Sequence, residues 1–380
     1  MGSSNKQIHL IAFDVPYPPN YGGVIDIYYK AVELQKMGVK IHLHCFEYGR
    51  PRNNQLDKIC ESVTYYKRRK SKFLLFSRTP YIVGTRNSEQ LIGNLNKDNY
   101  PIICEGLHTT GIIKHLNLKK RKVYVRTHNV EHDYYRHLAK NESKLAHRMY
   151  YKREARKLKA FESILKQCSG VFAISPSDAV HFEKINNNVE LVYPFHPFQK
   201  INAKPGTGKY AIYHGNLKVN ENNKAAVFLA EQVFNDIDYP LLITGSGASN
   251  YLKHLVSENE NIELKENIPS KEMLGYMQGA HMHILPTFQA TGMKLKLISA
   301  LFNGRYCVVN SEMIENTGVE KLCKLANSST DFKERINELA SKPFPSTELK
   351  NRKEVLGKDL SNHKNAQKIV NQIFSNSTPS

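Results

Sequence analysis

Cysteine is scarce in this sequence, and its spacing supports neither a metal site nor a redox centre. Only 6 of the 380 residues are cysteine, and none of them forms a Cys-x-x-Cys pair. Cys45, Cys104 and Cys307 lie within apolar runs or at their ends, which is typical of small core residues in a reducing compartment. A His-Glu-x-x-His motif is also missing. We therefore expect no bound metal and no other cofactor.

Long apolar runs and a dinucleotide fingerprint are missing as well. No stretch approaches the roughly 18–20 consecutive apolar residues that cross a bilayer. The strand-like segment Gln7–Phe13 follows Met1 so closely that no signal peptide fits before it, and we expect a cytoplasmic protein. The absence of a Gly-x-Gly-x-x-Gly fingerprint argues against a nicotinamide or flavin enzyme.

Positive charge is what the chain has in excess. Its 54 Lys and Arg against 35 Asp and Glu give a net charge of +19. Residues 1–190 hold 32 of the basic and 17 of the acidic residues, so the first half carries +15 and the second half +4. Such an excess favours an anionic partner, which can be a nucleic acid, an acidic lipid surface or a phosphorylated substrate. Charge alone leaves these three open.

Short apolar runs alternate with amphipathic stretches of helix length along the whole chain. This pattern predicts an α/β fold with parallel sheets covered by helices on both faces. A segment rich in proline and glycine, residues 192–208, separates two such series. We therefore predict two facing doubly wound domains at 1–195 and 205–358, with a ligand cleft between them. A C-terminal helix at 360–377 can pack on either domain.

One segment of the second series combines several anion-binding features. A strand-like run ends at Pro286, Gly292 opens an amphipathic stretch that carries Lys294 and Lys296, and Gly304 ends it. Both lysines are therefore predicted on one helix, near its positively polarised amino end. A diphosphate would bind there. An ordinary strand–helix–strand unit with solvated lysines is the alternative.

Three further junctions between a strand and a helix contain glycine. One ends a proline-rich loop after the first strand, and two follow strands of the second series. Glycine lets a backbone approach a ligand without a Cβ in the way. Together these junctions predict a phosphate-binding face. The residues concerned are Gly22, Gly23, Gly215, Asn216, Gly245 and Gly247.

Histidines and carboxylates follow two strands of the first series. Glu105 and His108 come after one strand, and His128 and Glu131 come after the next. Ligands of doubly wound folds bind at the carboxyl ends of the strands, where a histidine can bond a hydroxyl or a developing charge. Since the chain has 16 histidines, most of them are incidental. These strand ends are candidates on position alone.

A basic run stands directly before an apolar one. Its cationic residues are Lys67, Arg68, Arg69, Lys70 and Lys72, and the apolar run Phe73–Phe76 follows. Cationic side chains beside apolar ones suit an anionic membrane surface. A nucleic-acid patch is an alternative that lacks a recognisable binding module. A plain solvated helix is the third interpretation.

Taken in order, these motifs resemble those of the GT-B retaining glycosyltransferases of family 4 over nearly the whole chain. Gly22-Gly23 resembles the family's Gly-Gly loop, and Gly215, Gly245 and Gly247 resemble its nucleotide-domain glycines. The lysine segment matches the family's signature helix, which normally reads Glu-Gly-Phe-Gly-x-Pro-x-x-Glu-Ala. The resemblance implies the GT-B fold, with two facing Rossmann-like domains. The first would bind the acceptor and the second the nucleotide sugar.

The lysine segment also departs from that signature. The two signature glutamates fall on Thr291 and Ser299, and the second of them usually holds the nucleotide ribose. The two lysines replace a Gly and a Pro of the signature. A Gly-Ile/Met-Lys-x-Lys variant, here Gly292-Met293-Lys294-Leu-Lys296, occurs in some bacterial members. The chain resembles that subgroup.

We infer that the cationic clamp of the donor site has moved. The family's diphosphate-clamping Arg and Lys fall near Asn216 and Asn222, so both of those charges are missing. Lys294 or Lys296 would take over, with the backbone of Gly292 and the helix amino end. Lys294 is the better candidate because it lies closer to that end.

The resemblance implies transfer of a sugar from a nucleotide sugar to an acceptor hydroxyl, with retention and without a metal. His128 matches the family's active-site histidine, and with Lys294 it forms the predicted catalytic pair. A lipid-linked or cell-surface glycan is the expected acceptor, at the inner face of the cell membrane, where Lys67–Phe76 would contact anionic lipid. A GT-B sugar-nucleotide epimerase that uses Glu105 or Glu131 is the alternative. A nucleic-acid-binding protein has only charge in its favour, and no nucleic-acid partner is expected.

Overall fold

Two parallel β-sheets organise the chain. The computed structural model describes residues 6–288, 294–315 and 317–374. It divides into two units, one formed by Met1–Pro197 with Leu360–Ser380 and the other by Phe198–Asp359. The last described helix therefore belongs to the same unit as the amino-terminal half.

The strands are short, as expected for parallel sheets buried on both faces. In the first unit they are β1 (Gln7–Ala12), β2 (Lys40–Glu47), β3 (Ser62–Lys67), β4 (Ile102–Glu105), β5 (Val123–Arg126), β6 (Gly170–Ala173) and β7 (Val189–Leu191). In the second unit they are β8 (Ala211–His214), β9 (Leu241–Gly245), β10 (Ile262–Glu266), β11 (Met282–Leu285), β12 (Tyr306–Val309) and β13 (Lys324–Leu325).

Helices connect most of the strands. In chain order they are α1 (Gly22–Lys36), α2 (Tyr81–Gly84), α3 (Glu89–Leu95), α4 (Glu131–Asn141), α5 (Leu145–Phe161), α6 (Pro176–Glu183), α7 (Asn220–Phe228), α8 (Asn250–Ser257), α9 (Ser270–Gly279), α10 (Leu295–Asn303), α11 (Ser311–Ile314), α12 (Ser329–Ala340), α13 (Ser346–Asp359) and α14 (Asn362–Phe374). Short 3-10 segments include Lys72–Phe76, Leu107–His115 and Glu162–Gln167. None of the described helices is both long and apolar enough to cross a membrane.

Both sheets are parallel and doubly wound. The first has the order β3-β2-β1-β4-β5-β6-β7, and the second has the order β10-β9-β8-β11-β12-β13. In each sheet the chain moves outward in one direction and then returns to build the other side. The predicted architecture of two Rossmann-like α/β units is therefore confirmed.

Alternating side chains of β1 illustrate how each sheet is buried on both faces. Leu10 belongs to the core cluster that contains Ile27 of α1 and Ile369 of α14. Its neighbour Ile11 belongs to the cluster on the other face, with Phe182 of α6. Successive strand residues point to opposite faces, so a strand covered by helices on both faces must be apolar throughout.

Three strands at sheet edges lack the continuous apolar run that predicts the central strands. They are β3, β7 and β13. The first reads Ser-Val-Thr-Tyr-Tyr-Lys, while the other two have only 3 and 2 residues. An edge strand is paired on one side and partly solvated, so it lacks the apolar run by which the central strands are recognised. The basic run consequently begins on a strand at Lys67.

Candidate active site

The strand order of the second sheet reverses beside β8. Strands β9 and β10 lie on one side of it and β11 to β13 on the other. The neighbouring strands β8 and β11 end at His214 and Leu285. In open α/β sheets, ligands bind outside the carboxyl ends of the strands at such a reversal point. The residues after β8 and β11 and the start of α10 are therefore the candidate donor site.

Lys296 reaches from α10 to the helix that follows β8. Its Nζ donates a hydrogen bond of 3.0 Å to Oδ1 of Asn222. The same atom lies 3.5 Å from the hydroxyl oxygen of Tyr213 and 5.3 Å from the centre of that ring. An ammonium group thus stands over the junction between β8 and α7, held by neutral acceptors.

The two lysines of this segment are half-buried cations. Burial lowers the pKa of Lys296 to about 8, although the nearby carboxylate of Glu221 opposes the shift. Burial likewise lowers the pKa of Lys294 below its usual value. Since each lysine is destabilised in its charged form, a bound anion would gain more from them than from solvated lysines.

The prediction that one helix carries both lysines is wrong for Lys294. Helix α10 begins at Leu295, and Lys294 is its N-cap residue with an extended backbone (φ −83°, ψ 121°). The two lysines therefore leave the backbone in different local conformations, and the spacing rule for a helix does not apply to the pair. Lys296 lies in the first turn of α10 and contacts α7.

A polar network surrounds these lysines. The hydroxyl of Thr287, after β11, donates to the carboxylate of Glu221 in the first turn of α7. The backbone N–H of Thr287 donates to Oδ1 of Asn310 at 3.0 Å, and Nδ2 of Asn310 donates back to the Thr287 carbonyl at 2.6 Å. The ends of β11 and β12 are thereby tied together beside α7.

The two glycines that end β8 and β9 are in close contact. A Cβ on Gly245 would lie 2.0 Å from the carbonyl oxygen of Gly215 and 2.8 Å from Cγ of Leu217. Beside them, the carbonyl oxygen of Asn216 accepts a 3.0 Å bond from Nδ2 of Asn222. These residues therefore line the junction between β8 and α7, next to Asn222, which binds Lys296. Gly245 is needed there for backbone packing.

Other predicted donor residues lie apart from this group or outside the described chain. The N–H of Gly247 donates to Oε1 of Glu266 at 2.9 Å, so a carboxylate of β10 already occupies that donor. Oγ of Ser299, one turn along α10, lies 3.5 Å from Sδ of Met277 on α9. The remaining predicted donor residues, Thr291, Gly292 and Met293, lie outside the described residues.

The first sheet has its own reversal point, between β1 and β4. Gly22 and Gly23, after the loop that follows β1, are the first residues of α1. A Cβ on Gly23 would lie 2.6 Å from Cζ of Phe13, so the helix start packs directly on that ring. The Phe13 ring centre lies 5.1 Å from that of His108 and 5.3 Å from that of His128. The predicted glycine loop and both histidines therefore meet at one place.

A chain of buried charges runs behind His128. Its Nε2 lies 2.9 Å from Oε2 of Glu105, whose Oε1 lies 2.7 Å from Nζ of Lys30. Lys30 also pairs with Asp26 at 3.1 Å, and Asp26 pairs with Arg126 at 2.9 Å. Alternating signs along the chain leave each carboxylate beside at least one cation, which offsets the cost of burying them.

The chain of buried charges fixes the orientation of the His128 ring. A carboxylate only accepts hydrogen bonds, so Nε2 of His128 must carry the proton shared with Glu105. The neutral ring then presents Nδ1 as an acceptor. Burial alone would raise the pKa of Asp26, but the charges of Arg126 and Lys30 hold it well below its usual value.

Sequence reasoning missed the two α1 members of this chain. Asp26 and Lys30 stand four residues apart, so they lie on one face of α1 together with the apolar residue Ile27. A charged pair inside the buried stripe of an amphipathic helix is the signal that could have revealed them.

The cations in this chain of buried charges disfavour metal binding there. Ligand atoms of Asp26, Glu105 and His128 lie within 4.8 Å of one another. Lys30 and Arg126, however, already pair with both carboxylates. A divalent ion would have to displace them.

A pair of aspartates in the second unit, separated by one residue, lies away from the donor site. Asp236-Ile-Asp238 is the Asp-x-Asp sequence of the chain, and it precedes the amino end of β9. Oδ1 of Asp236 lies 2.6 Å from Nζ of Lys333. Ligands bind at the opposite, carboxyl edge of such a sheet.

Comparison with known proteins connects the second unit with sugar transfer. Residues 208–342 match the family model Glyco_trans_1_4, described as glycosyl transferases group 1. This region contains the candidate donor site. A protein of Klebsiella pneumoniae, described as an uncharacterized 44.6 kDa protein in the cps region, is 26% identical over 357 residues. The match covers 87% of this chain and 90% of that protein.

Solved structures share the fold over nearly the full length. TarM has a TM-score of 0.69 at 13% identity, with 98% of this chain and 99% of TarM covered. The sucrose-phosphate synthase of Thermosynechococcus elongatus has a TM-score of 0.66 at 13% identity, with 96% and 97% covered. The fold is GT-B. The family match and these neighbours together support a glycosyltransferase.

The predicted basic run of this GT-B chain is divided by its own packing. Lys67, Arg69, Lys70 and Lys72 are exposed. Arg68 is half-buried, because its guanidinium stacks 4.0 Å from the centre of the Tyr48 ring and its Nε donates to Thr85. Arg68 therefore holds the segment against the unit, while its neighbours face solvent.

Proposed function

We propose that this protein is a retaining glycosyltransferase that moves a sugar from a nucleotide sugar to an acceptor hydroxyl on a lipid-linked or cell-surface glycan. The donor would bind at the second unit and the acceptor at the first. A relative from a cps region supports a role in capsule polysaccharide synthesis. Among the structural neighbours, a S. aureus TarM variant has been crystallised with alpha-GlcNAc-glycerol and UDP, which favours a nucleotide-sugar donor here.

The pair of half-buried lysines is the observation that carries this proposal. Lys294 and Lys296 lie at the start of α10, beside the reversal point of the second sheet, and burial lowers the pKa of both. Two partly desolvated cations at a helix amino end attract an anion more strongly than solvated lysines do. A nucleotide diphosphate supplies two adjacent phosphates of the right charge. The family match over the same region makes a nucleotide sugar the preferred source of that diphosphate.

The proposed reaction needs no enzymic nucleophile. The bond between the anomeric carbon and the diphosphate oxygen breaks, and the acceptor oxygen bonds to the same face of that carbon. The proton of the acceptor hydroxyl passes to the departing phosphate oxygen. Lys294 and Lys296 would stabilise the negative charge that develops on the leaving diphosphate. The protein otherwise contributes positioning, which alone can supply several kcal/mol of the barrier reduction.

His128 is the proposed contact to the transferred sugar. Its ring is oriented through Nε2 by Glu105, which leaves Nδ1 for a sugar hydroxyl or for charge near the anomeric centre. Because Glu105 is itself held by Lys30, the imidazole is positioned by groups that are already paired. The epimerase alternative requires a carboxylate able to take a proton. Glu105 is engaged by both partners, so this alternative would have to use Glu131, whose pKa is raised by burial to about 8.

A mixed apolar and basic surface on the first unit is the proposed membrane contact. Phe73, Phe76, Leu145 and Met149 are 86%, 74%, 71% and 63% exposed. The last two lie four residues apart on α5, and so share a face of that helix. We call these four residues the apolar patch. Large side chains this exposed are uncommon on a monomer and mark an interaction site when they form a group.

Basic side chains of α5 contact the segment that carries Phe73 and Phe76, and further basic residues stand in the predicted run beside it. The guanidinium of Arg153 lies 5.9 Å from the centre of the Phe76 ring, and Nζ of Lys157 donates to the carbonyl of Leu75 at 2.9 Å. These contacts join α5 to the 3-10 segment. Exposed cations of these segments include Lys70, Lys72, Arg148, Lys152, Arg153 and Arg156. Apolar side chains on segments that also carry exposed cations fit anionic lipid at the cytoplasmic face of the membrane.

Nucleotide-sugar binding is the first test. Binding of UDP-, GDP-, ADP- and dTDP-sugars is measured by thermal shift and calorimetry, with Lys296→Met as the variant and exposed Lys271→Met as its control. One class of nucleotide sugar should stabilise the wild type and the control but not Lys296→Met. Equal stabilisation of all three proteins, or stabilisation by none of the nucleotides, would contradict the donor site. Conversion of the sugar nucleotide to its epimer without transfer would contradict the transferase assignment.

Membrane contact is tested separately by flotation with liposomes. The wild type should float with vesicles containing phosphatidylglycerol and remain behind with purely zwitterionic ones. A Phe73→Ser/Phe76→Ser double variant should lose most of the flotation, because two of the apolar anchors are removed. If this variant floats as well as the wild type, the membrane assignment is wrong, whereas the donor-site proposal is unaffected.

A further inference from the structure

A second cluster of ionisable side chains lies on the first unit, apart from the charge chain behind His128. His132 belongs to α4, Glu162 to the 3-10 segment after α5, and His181 to α6. Nε2 of His181 lies 2.8 Å from Oε2 of Glu162, and Nε2 of His132 lies 3.6 Å from the same oxygen. One ligand atom from each residue falls within a 4.8 Å group. Two imidazoles and a carboxylate thus converge from three separate elements.

Two histidines are the partners of the Glu162 carboxylate among the described residues. Its side chain is only 4% exposed, and neither Lys nor Arg from the described part of the chain pairs with it. Its Oε1 is buried without a hydrogen-bond partner in the same part of the chain. A buried carboxylate oxygen without a partner is costly. By contrast, Asp26 is paired with both Arg126 and Lys30.

His132 has a second carboxylate beside its outer ring nitrogen. Its Nδ1 lies 3.1 Å from Oδ1 of Asp133, which also pairs with Arg136. This buried Nδ1 makes no hydrogen bond within the described part of the chain. Carboxylates behind the outer nitrogen of a metal-bound histidine are the usual second sphere of such sites.

The spacing of the three ligand atoms suits a small tetrahedral ion. Zinc bonds to histidine nitrogen and carboxylate oxygen at about 2.0–2.2 Å, which places neighbouring ligand atoms roughly 3.3 Å apart. The observed separations of 2.8 and 3.6 Å bracket that value. The side chain of His181 is 26% exposed, so an ion and its fourth ligand, a water molecule, can enter from solvent.

We propose that His132, Glu162 and His181 bind one divalent transition-metal ion of the zinc class, which ties α6 to α4 on the first unit. Two imidazoles select against Mg²⁺ and Ca²⁺, which prefer oxygen ligands. The ion would satisfy Oε1 or Oε2 of the carboxylate and both imidazole nitrogens at once. The three residues are far apart in sequence, which is why no spaced motif reveals the site. This inference is independent of the proposed sugar transfer.

Metal binding is measured on the full chain after treatment with a chelator. Calorimetry with ZnCl₂ should give one ion per chain, and Co²⁺ should give the visible absorption of a tetrahedral complex. His181→Ala and Glu162→Gln should both lose this single site. Asp133→Asn should weaken Zn²⁺ binding by about 10-fold, because it removes only the outer carboxylate. His147→Ala, which alters an exposed histidine 3.5 Å from Glu142, is the matched control and should bind Zn²⁺ as the wild type does.

Thermal unfolding separates a metal site from an ordinary ion pair. Zn²⁺ should raise the Tm of the wild type and of His147→Ala, but not that of His181→Ala, whose half-exposed position leaves the fold intact. If Zn²⁺ leaves the wild-type Tm unchanged and calorimetry shows no binding of one ion per chain, Glu162 and His181 form only an ion pair and the proposal is wrong. Retention of the single site by His181→Ala would overturn it equally. Mg²⁺ in place of Zn²⁺ should have no effect.

Discussion

Nζ of Lys296 lies 3.0 Å from Oδ1 of Asn222, so a lysine of α10 stands where α7 follows the central strand of the second sheet. By resemblance, a clamping cation of the family falls near Asn222. An amide oxygen is a neutral acceptor, so this bond does not neutralise the ammonium, and the nearby carboxylate of Glu221 offsets only part of the cost of burying the charge. The arrangement therefore puts a charge at this position from a different element, and an arriving phosphate can replace the amide as its partner.

Lys296→Met should weaken nucleotide-diphosphate binding by roughly 10-fold to 100-fold, the loss of one charge-assisted hydrogen bond. Calorimetry with the nucleotide sugar that stabilises the wild type measures the change in Kd. Lys271→Met removes an exposed lysine of the same unit and should leave the Kd unchanged. An unaltered Kd for Lys296→Met would show that the diphosphate binds elsewhere.

Nucleotide affinity should fall as the pH rises through about 8, because that is the pKa to which burial lowers Lys296. Only the charged ammonium attracts the diphosphate. Stability without ligand should change in the opposite direction, since above pH 8 the unfolded chain binds more protons at this lysine than the folded one. Lys296→Arg keeps its charge and should abolish the pH dependence of binding. A flat profile in the wild type would contradict the assignment.

His128→Ala should lower the rate of sugar transfer on the order of 100-fold, as expected when one positioned polar group at the reacting centre is lost. The Kd of the nucleotide should not change, because the candidate diphosphate ligands belong to the second unit. Glu105→Gln should have a transfer rate between those of the wild type and His128→Ala, since the amide oxygen of Gln can still accept a hydrogen bond from Nε2 of His128. The exposed histidine variant His115→Ala serves as the control. Equal losses in Kd and rate would mean that His128 acts through folding.

The fold was predictable because central strands and helices carry strong local patterns. A strand buried on both faces, such as β4 or β6, must be an apolar run, and the run is visible in the sequence. Edge strand β3 was not predictable in this way, because its exposed side allows Ser62 and Lys67 beside its two tyrosines. The start of α10 was misjudged for a related reason: the pattern of apolar residues locates a helix but does not give the backbone conformation of Lys294.

The candidate sites were predictable only where they follow strand ends. Gly215 and His128 were found because parallel strands bring their carboxyl ends to one edge. Thr287 also follows a strand, but a lone threonine carries no recognisable signal. Asp26 and Lys30 lie within a helix, and their partner Arg126 is about a hundred residues away. Contacts across such distances depend on tertiary packing, which local patterns do not encode.

Arg126→Met should destabilise the protein by about 3–5 kcal/mol, the range for breaking one member of a buried ion pair. The guanidinium is fully buried, pairs with Asp26 at 2.9 Å and donates to the carbonyl of Ala173 at 3.2 Å. Urea unfolding measures the change. Arg156→Met removes an exposed arginine and should alter stability by less than about 0.5 kcal/mol. A similarly small effect at position 126 would mean that Lys30 alone neutralises Asp26.

Gly245→Ala should both destabilise the second unit and weaken nucleotide binding. The added Cβ would lie 2.0 Å from the carbonyl oxygen of Gly215, and because that atom is backbone, the β8 junction has to move. We expect a loss of roughly 1–3 kcal/mol in the free energy of unfolding, as for other overpacked sites. Nucleotide affinity should fall as well, since the junction lies beneath Lys296.

Gly275→Ala is the matched control for that substitution, because a Cβ at this position of α9 meets no atom within 4 Å. There the methyl group only reduces the freedom of the unfolded chain, so stability should rise by about 0.5–1 kcal/mol. Opposite signs for the two alanine variants, measured by urea unfolding, would assign the loss at Gly245 to the close approach of the two strand ends. Two losses of equal size would instead indicate that alanine is tolerated poorly throughout the unit.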